Sequence, residues 1–163
     1  MKLIIFGDRK INSLEILEEA IAHFKIDLSS ITEIVSGEAK GADTLGEDLA
    51  KKHDIKIKQF KPDWKNIKTP GAVIKSNAYG KYNANAGFDR NQQMVEYADC
   101  GLALQTNGET NGTQDCIKRL QKAGKPVFIY EGSEEDIKKH EEGQYQFWLP
   151  MSIFALIVAT TSK

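Results

Sequence analysis

Cysteine is scarce in this chain: Cys100 and Cys116 are the only two among 163 residues. Two thiols cannot build a disulfide framework or a four-ligand zinc site, so a reducing cytoplasm is the expected setting and no metal is expected. An excess of one charge is lacking too, with 22 Lys+Arg against 23 Asp+Glu and a net charge of -1. That balance removes the global pull toward nucleic acid that a basic protein has, and argues against a nucleic-acid partner. Long apolar runs are missing. The first, Leu3 to Phe6, is followed at once by glycine and charges and reads as a strand rather than a secretory leader. The other, Phe147 to Ala159, is broken by Pro150 and Ser152. As a helix it would reach only about 20 Å against a bilayer core of roughly 30 Å, so no membrane span is expected. It is expected instead to cover the core or a homo-oligomer interface. His23, His53 and His140 stand apart from one another, and neither a Gly-x-Ser-x-Gly elbow nor a Walker phosphate loop occurs.

What is present fits one soluble domain, with 40% hydrophobic and 28% charged residues. Lys2–Phe6 reads as a strand running into Gly7-Asp8-Arg9, and Asn12 with Glu15 resembles a capping box opening a helix with a Leu14, Leu17, Ile21, Phe24 stripe. Ile31–Ser36 repeats the strand, Gly37 to Gly41 makes a tight loop, and Ala42, Leu45 and Leu49 share one face of a second helix. A strand over Ile55–Phe60, a helix over Ala86–Ala98, a strand over Cys100–Leu104 and a turn-rich Gln105–Gly112 loop follow. A fourth helix carries Cys116, Ile117, Leu120 and Ala123, with Gly124 as a left-handed cap and Pro126 before strand Val127–Tyr130. This alternation predicts an α/β, Rossmann-like, doubly wound parallel sheet of five strands with helices on both faces over residues 1–130. Residues 131–163 are expected as a C-terminal extension.

In such sheets ligands sit outside the carboxyl ends of the strands, where strand order reverses. The loops due there are Gly7-Asp8-Arg9, Ser36 to Asp43, Lys61 to Trp64 and Thr106 to Thr113. Gly37 and Gly41, and again Gly112 and Thr113, place helix N-termini where free N–H groups meet an anion such as phosphate. Arg90 can clamp phosphate or carboxylate bidentately, and Trp64 either stacks on a base or anchors its loop. Charge is unevenly spread: Lys61 to Arg90 holds six basic residues against two acids, and Glu131 to Glu142 holds six acids against two lysines. A basic stretch beside the expected site suits an anionic ligand.

The ordered set Gly7-x-Arg9, Ser36-Gly37-x-Ala39-x-Gly41-Ala42-Asp43, Pro62-x-Trp64, Arg90-Asn91 and Gly112-Thr113 resembles the YspA-type branch of the SLOG superfamily, the domain of unknown function 2493, over about residues 1 to 130. The resemblance implies a Rossmann-like fold and a nucleotide-derived ligand. More distant likenesses are the cytokinin-activating phosphoribohydrolases and the DNA-processing protein DprA. Arg90 with Met94 resembles the phosphoribohydrolase Arg-x-x-x-Met, which implies that Arg90 reaches the ligand. Gly112-Thr113 resembles their Gly-Thr-x-x-Glu, but Cys116 stands at the glutamate position. The glycine loop also departs, with Glu38 and Lys40 where glycine and arginine are usual. Residues 66–85 look inserted, as a lid or specificity element would be.

The ligand-binding residues expected from all of this are Gly7, Asp8, Arg9, Ser36, Gly37, Lys40, Gly41, Asp43, Trp64, Arg90, Asn91, Gly112 and Thr113, with no cofactor. The expected function is binding, as sensing or sequestration, of a nucleotide-derived small molecule: ADP-ribose-like, NAD-related or a nucleoside monophosphate. One alternative is a glycosidic-bond hydrolase with Glu38, Asp43 or Asp63 supplying acid/base chemistry. Another is DprA-like binding of single-stranded DNA.

Overall fold

A computed structural model describes residues 1–38, 41–106, 111–133 and 143–150. The apolar run at the N-terminus forms β1 (Lys2–Gly7), whose Leu3, Ile4, Ile5 and Phe6 are buried, as a strand covered on both faces must be. The chain continues through α1 (Leu14–His23), β2 (Glu33–Ser36), α2 (Ala42–Lys52) and β3 (Lys56–Gln59). Next come β4 (Ile74–Asn77), β5 (Gly80–Asn83), α3 (Ala86–Tyr97) and β6 (Cys100–Thr106). The last described elements are α4 (Asn111–Lys122), β7 (Val127–Gly132) and β8 (Gln144–Trp148).

The main sheet has six strands in the order β3-β2-β1-β6-β7-β8. All neighbours are parallel except β7 and β8, which pair antiparallel. Because successive side chains alternate across a strand, Leu3 and Ile5 of β1 enter one core with Leu17 of α1 and Leu49 of α2. Ile4 and Phe6 enter the other with Met94 of α3 and Leu120 of α4. Helices therefore cover both faces, and the Rossmann-like α/β architecture expected from the alternation is what forms. Gly124 follows α4 with φ +68°, the left-handed conformation its position called for.

Three local expectations are corrected. The sheet has a sixth strand, since Gln144–Trp148 adds to the β7 edge; Phe147 stacks on Phe128 at 4.5 Å between ring centres and Tyr145 stacks on His23 at 3.7 Å. Of the apolar Phe147–Ala159 run, Phe147 and Trp148 lie in this edge strand, and residues 151–159 lie outside the described ones. Helix α1 is capped by Ser13, not Asn12, and without a side-chain cap bond. Its start is deferred because the Asp8 carboxylate accepts from the Lys10 N–H at 3.0 Å and the Asp8 carbonyl from the Ile11 N–H at 3.2 Å, which closes a turn first. Finally, Gln105 and Thr106 belong to β6 rather than to a loop.

Residues 66–85, expected as an inserted loop, contain the β4–β5 hairpin, a separate two-stranded sheet. Asn83 anchors its stem. The buried Asn83 donates its N–H to the Trp64 carbonyl at 2.7 Å, and its side-chain oxygen accepts from the N–H groups of Val73 and Asn85. The hairpin base thus fixes the backbone at Trp64.

Candidate functional site

Strand order reverses on either side of β1, since the chain passes first to β2 and β3 and then across to β6 and β7. The loop after β1, Gly37 and Glu38 after β2, and the first turns of α2, α3 and α4 converge at this point, where open α/β sheets bind ligands. Two adjoining cavities lie there. One, of about 390 Å³, is floored by Phe6, Met94 and Cys116 and rimmed by Asp8, Asp43 and Thr113. The other, of about 400 Å³, is walled by Pro62, Trp64, Ala84 and Phe88 with Glu38 at its side. Arg9, Arg90, Asn91 and Gly112 line both, so these four residues form the junction of a single cleft.

The glycine loop is held by the residues around it. The buried Asp43 carboxylate accepts from the Gly37 N–H at 3.1 Å, and the Arg90 Nη1 donates to the Gly37 carbonyl. A Cβ at residue 37 would sit 2.6 Å from Arg90 Nη1 and 2.9 Å from the Asp43 carboxylate, so a side chain there would displace the two groups that hold the loop. Arg90 Nε also donates to the Asn91 side-chain oxygen at 3.1 Å, and Asn91 Nδ2 donates to the Gly112 carbonyl at 3.3 Å and to Asp115 at 3.1 Å. A continuous chain of hydrogen bonds therefore runs from the loop after β2, through the first turns of α3, to the start of α4. Asp115 extends it, accepting from Arg119 Nε at 2.8 Å.

Most of the residues expected at the site meet in this cleft. Gly7, Asp8, Arg9, Asp43, Arg90, Asn91, Gly112 and Thr113 line the first cavity, and Gly37, Glu38 and Trp64 line the second. Ser36 lines neither; its hydroxyl donates to Glu47 at 2.9 Å and accepts from the Glu38 N–H at 3.1 Å, which shapes the loop from beneath. Gly41, at φ +84°, caps α2 from behind the cleft, Asp63 is exposed and lines neither cavity, and Lys40 lies outside the described residues. Glu38 pairs with Lys61 at 3.6 Å. Asp8 also accepts from the Thr106 hydroxyl.

Arg9 differs from the other cations. It is exposed at the junction, and among the described residues it makes no hydrogen bond or ion pair, whereas Arg90 is engaged with Gly37 and Asn91. The pattern of the sequence missed Lys10, Gly87 and Phe88 as lining residues. Phe88 had been absorbed into the helical pattern of α3, and only its placement in the first turn, facing Trp64 across Gly87, reveals it.

Cys116 lies on the floor of the first cavity and is almost fully buried. Burial, followed by the nearby carboxylates of Asp43 and Asp115, pushes its thiol far above the usual range, and burial pushes Cys100 up to about 11. Both thiols are therefore protonated at neutral pH. Iodoacetamide at pH 8 should leave both unlabelled in the folded protein and label both after denaturation, as read by intact mass. Rapid labelling of Cys116 in the folded state, located by peptide mapping, would show it to be an open, ionised group.

The parallel sheet with helices on both faces places this chain among Rossmann-like α/β folds. Residues 1–66 match the YspA, cpYpsA-related SLOG family, YAcAr, which bears out the resemblance drawn from the loops. That match points to binding or processing of nucleotide-related ligands in general. It spans the Gly7-x-Arg9, Ser36-to-Asp43 and Pro62-x-Trp64 loops. Arg90-Asn91 and Gly112-Thr113 lie beyond it and join the same cleft through the fold. No curated protein matches the chain. Among the described residues no helix is long and apolar enough to cross a membrane.

Proposed function

We propose that the cleft binds a nucleotide-derived small molecule, by its phosphate, without turning it over. The observation that carries this reading is Arg9: an exposed guanidinium with no partner among the described residues, set where two cavities meet. A planar donor of fixed charge in that position suits a phosphate, and the backbone at Gly112 beside it opens a helix whose partial positive charge adds to the attraction.

Binding is favoured over hydrolysis by what the carboxylates are doing. Asp8 and Asp43 accept from backbone N–H groups and hold the loops, Glu38 pairs with Lys61, and Asp63 stands outside both cavities. At the position where the phosphoribohydrolases carry glutamate, Cys116 keeps its proton and offers no base near neutral pH.

The test is equilibrium dialysis against AMP, NAD, ADP-ribose, cyclic ADP-ribose and cyclic dinucleotides, with both compartments read by mass spectrometry. Retention of an intact compound is the expected result. Appearance of a free base or sugar phosphate would make the protein a hydrolase, and retention of none would remove the nucleotide reading.

A further inference from the structure

We infer that the cleft is built for a two-ended molecule, with one or two bridging phosphates in its middle and a ring system at each end, rather than for a mononucleotide. This rests on the reading above and narrows it. Its basis is the arrangement of charge along the cleft. The two arginines are at the junction, lining both cavities, and neither cavity has a guanidinium at its far end. Lys10 adds a cation to the first half, and the carboxylates beside the junction are engaged by the protein, Asp8 and Asp43 by backbone N–H groups and Glu38 by Lys61. A ligand complementary to this arrangement carries its negative charge at the shared arginines and extends from there into both halves.

The shapes of the halves agree. Their volumes are nearly equal, about 390 and 400 Å³, so neither is a mere vestibule of the other. Each alone is near the small end of the roughly 300–1,000 Å³ usual for small-molecule sites. A mononucleotide whose phosphate reached Arg9 would fill one half and leave the other to water.

The second half has an aromatic wall. Trp64 is 45% exposed, its ring lies against the first turn of α3 near Gly87, and Pro62 and Phe88 stand in the same cavity. A large half-bare indole on a cavity wall, with its backbone fixed by Asn83, offers a face for a flat ring. In the first half the floor of Phe6, Met94 and Cys116 is apolar and uncharged, which suits the face of a base or sugar at the other end.

The experiment is isothermal titration of the full chain with AMP and ADP as one-ended probes, and ADP-ribose, NAD and diadenosine diphosphate as two-ended ones. At least one two-ended compound should bind ten-fold or more tightly than both AMP and ADP. Trp64→Ala should lower that compound's affinity about ten-fold or more, and Trp64→Phe should restore most of it; thermal unfolding of each variant verifies the fold. AMP or ADP binding as tightly as every two-ended compound would overturn the inference while leaving the proposed function standing. Unchanged two-ended binding in a folded Trp64→Ala would equally overturn the placement of the second ring. Binding of none of the five would overturn the two-ended inference, and the nucleotide reading itself would fall only if the dialysis panel with its cyclic compounds were also unretained.

Discussion

Arg9→Ala should weaken binding of the retained nucleotide by ten-fold to one hundred-fold and leave the unfolding midpoint unchanged. A hydrogen bond to a charged group contributes about 1.5–3 kcal/mol, and each 1.4 kcal/mol is a factor of ten in affinity. Stability should not move because Arg9 is exposed and makes no bond or ion pair with the described residues. Arg90→Ala should behave differently. It removes the donor that holds the Gly37 carbonyl and the one that orients Asn91, leaving part-buried acceptors unsatisfied, so it should lower stability by about 1–3 kcal/mol as well as affinity. The pair separates two roles that a single arginine substitution would confuse. Titration calorimetry and urea unfolding on the same preparations give both quantities. Equal stability losses in the two variants would show that Arg9 is also part of the frame, and an Arg9→Ala protein with full affinity would place the anion elsewhere.

The sequence exposed the frame of the molecule more clearly than its edges. β1 announces itself because four consecutive apolar residues between charged and glycine positions fit a strand buried on both faces. The stripes of α1, α2 and α4 are equally plain, since residues three and four apart share a helical face. The β4–β5 hairpin was not visible: Ile74-Lys75-Ser76-Asn77 is exposed throughout, so no apolar face marks it, and its stem is secured by Asn83 rather than by hydrophobic burial. Strand β8 was hidden for another reason. Gln-Tyr-Gln-Phe-Trp spans the boundary between an acidic run and an apolar one, and reading the two runs by composition divided it.

The site was legible as a set of loops and illegible as a set of roles. Gly7, Gly37 and Gly112 could be placed at strand ends, but whether a polar residue beside them faces a ligand or the protein depends on contacts remote in sequence. The Arg90 bond to Gly37 spans 53 residues and that of Thr106 to Asp8 spans 98. Such bonds turn Asp8, Asp43 and Arg90 into the scaffold of the cleft, a role that spacing alone does not distinguish from catalysis.

Gly41→Ala tests that scaffold where it is tightest. A Cβ at residue 41 would come within 2.5 Å of the Asp8 carbonyl oxygen and 2.6 Å of the Arg9 Cα, both backbone atoms that no rotamer change can move away. The φ of +84° adds strain for any L side chain. Relief by shifting α2 is resisted by buried Ala42, Leu45 and Leu49, and relief by shifting the β1 loop is resisted by the bonds of Asp8 to Thr106 and to the Lys10 N–H. We expect a loss of about 2–4 kcal/mol, combining overpacking with backbone strain, together with loss of nucleotide binding because Arg9 is the residue pushed. Gly112→Ala is the control, since nothing lies within 4 Å of its Cβ position and alanine there gains up to about 0.5–1 kcal/mol, the full figure belonging to a helix middle rather than a first turn. Urea unfolding should therefore move in opposite directions for the two glycines. If Gly41→Ala proved as stable as the parent chain, the loops after β1 and β2 would not be in the contact that aims Arg9 at the junction.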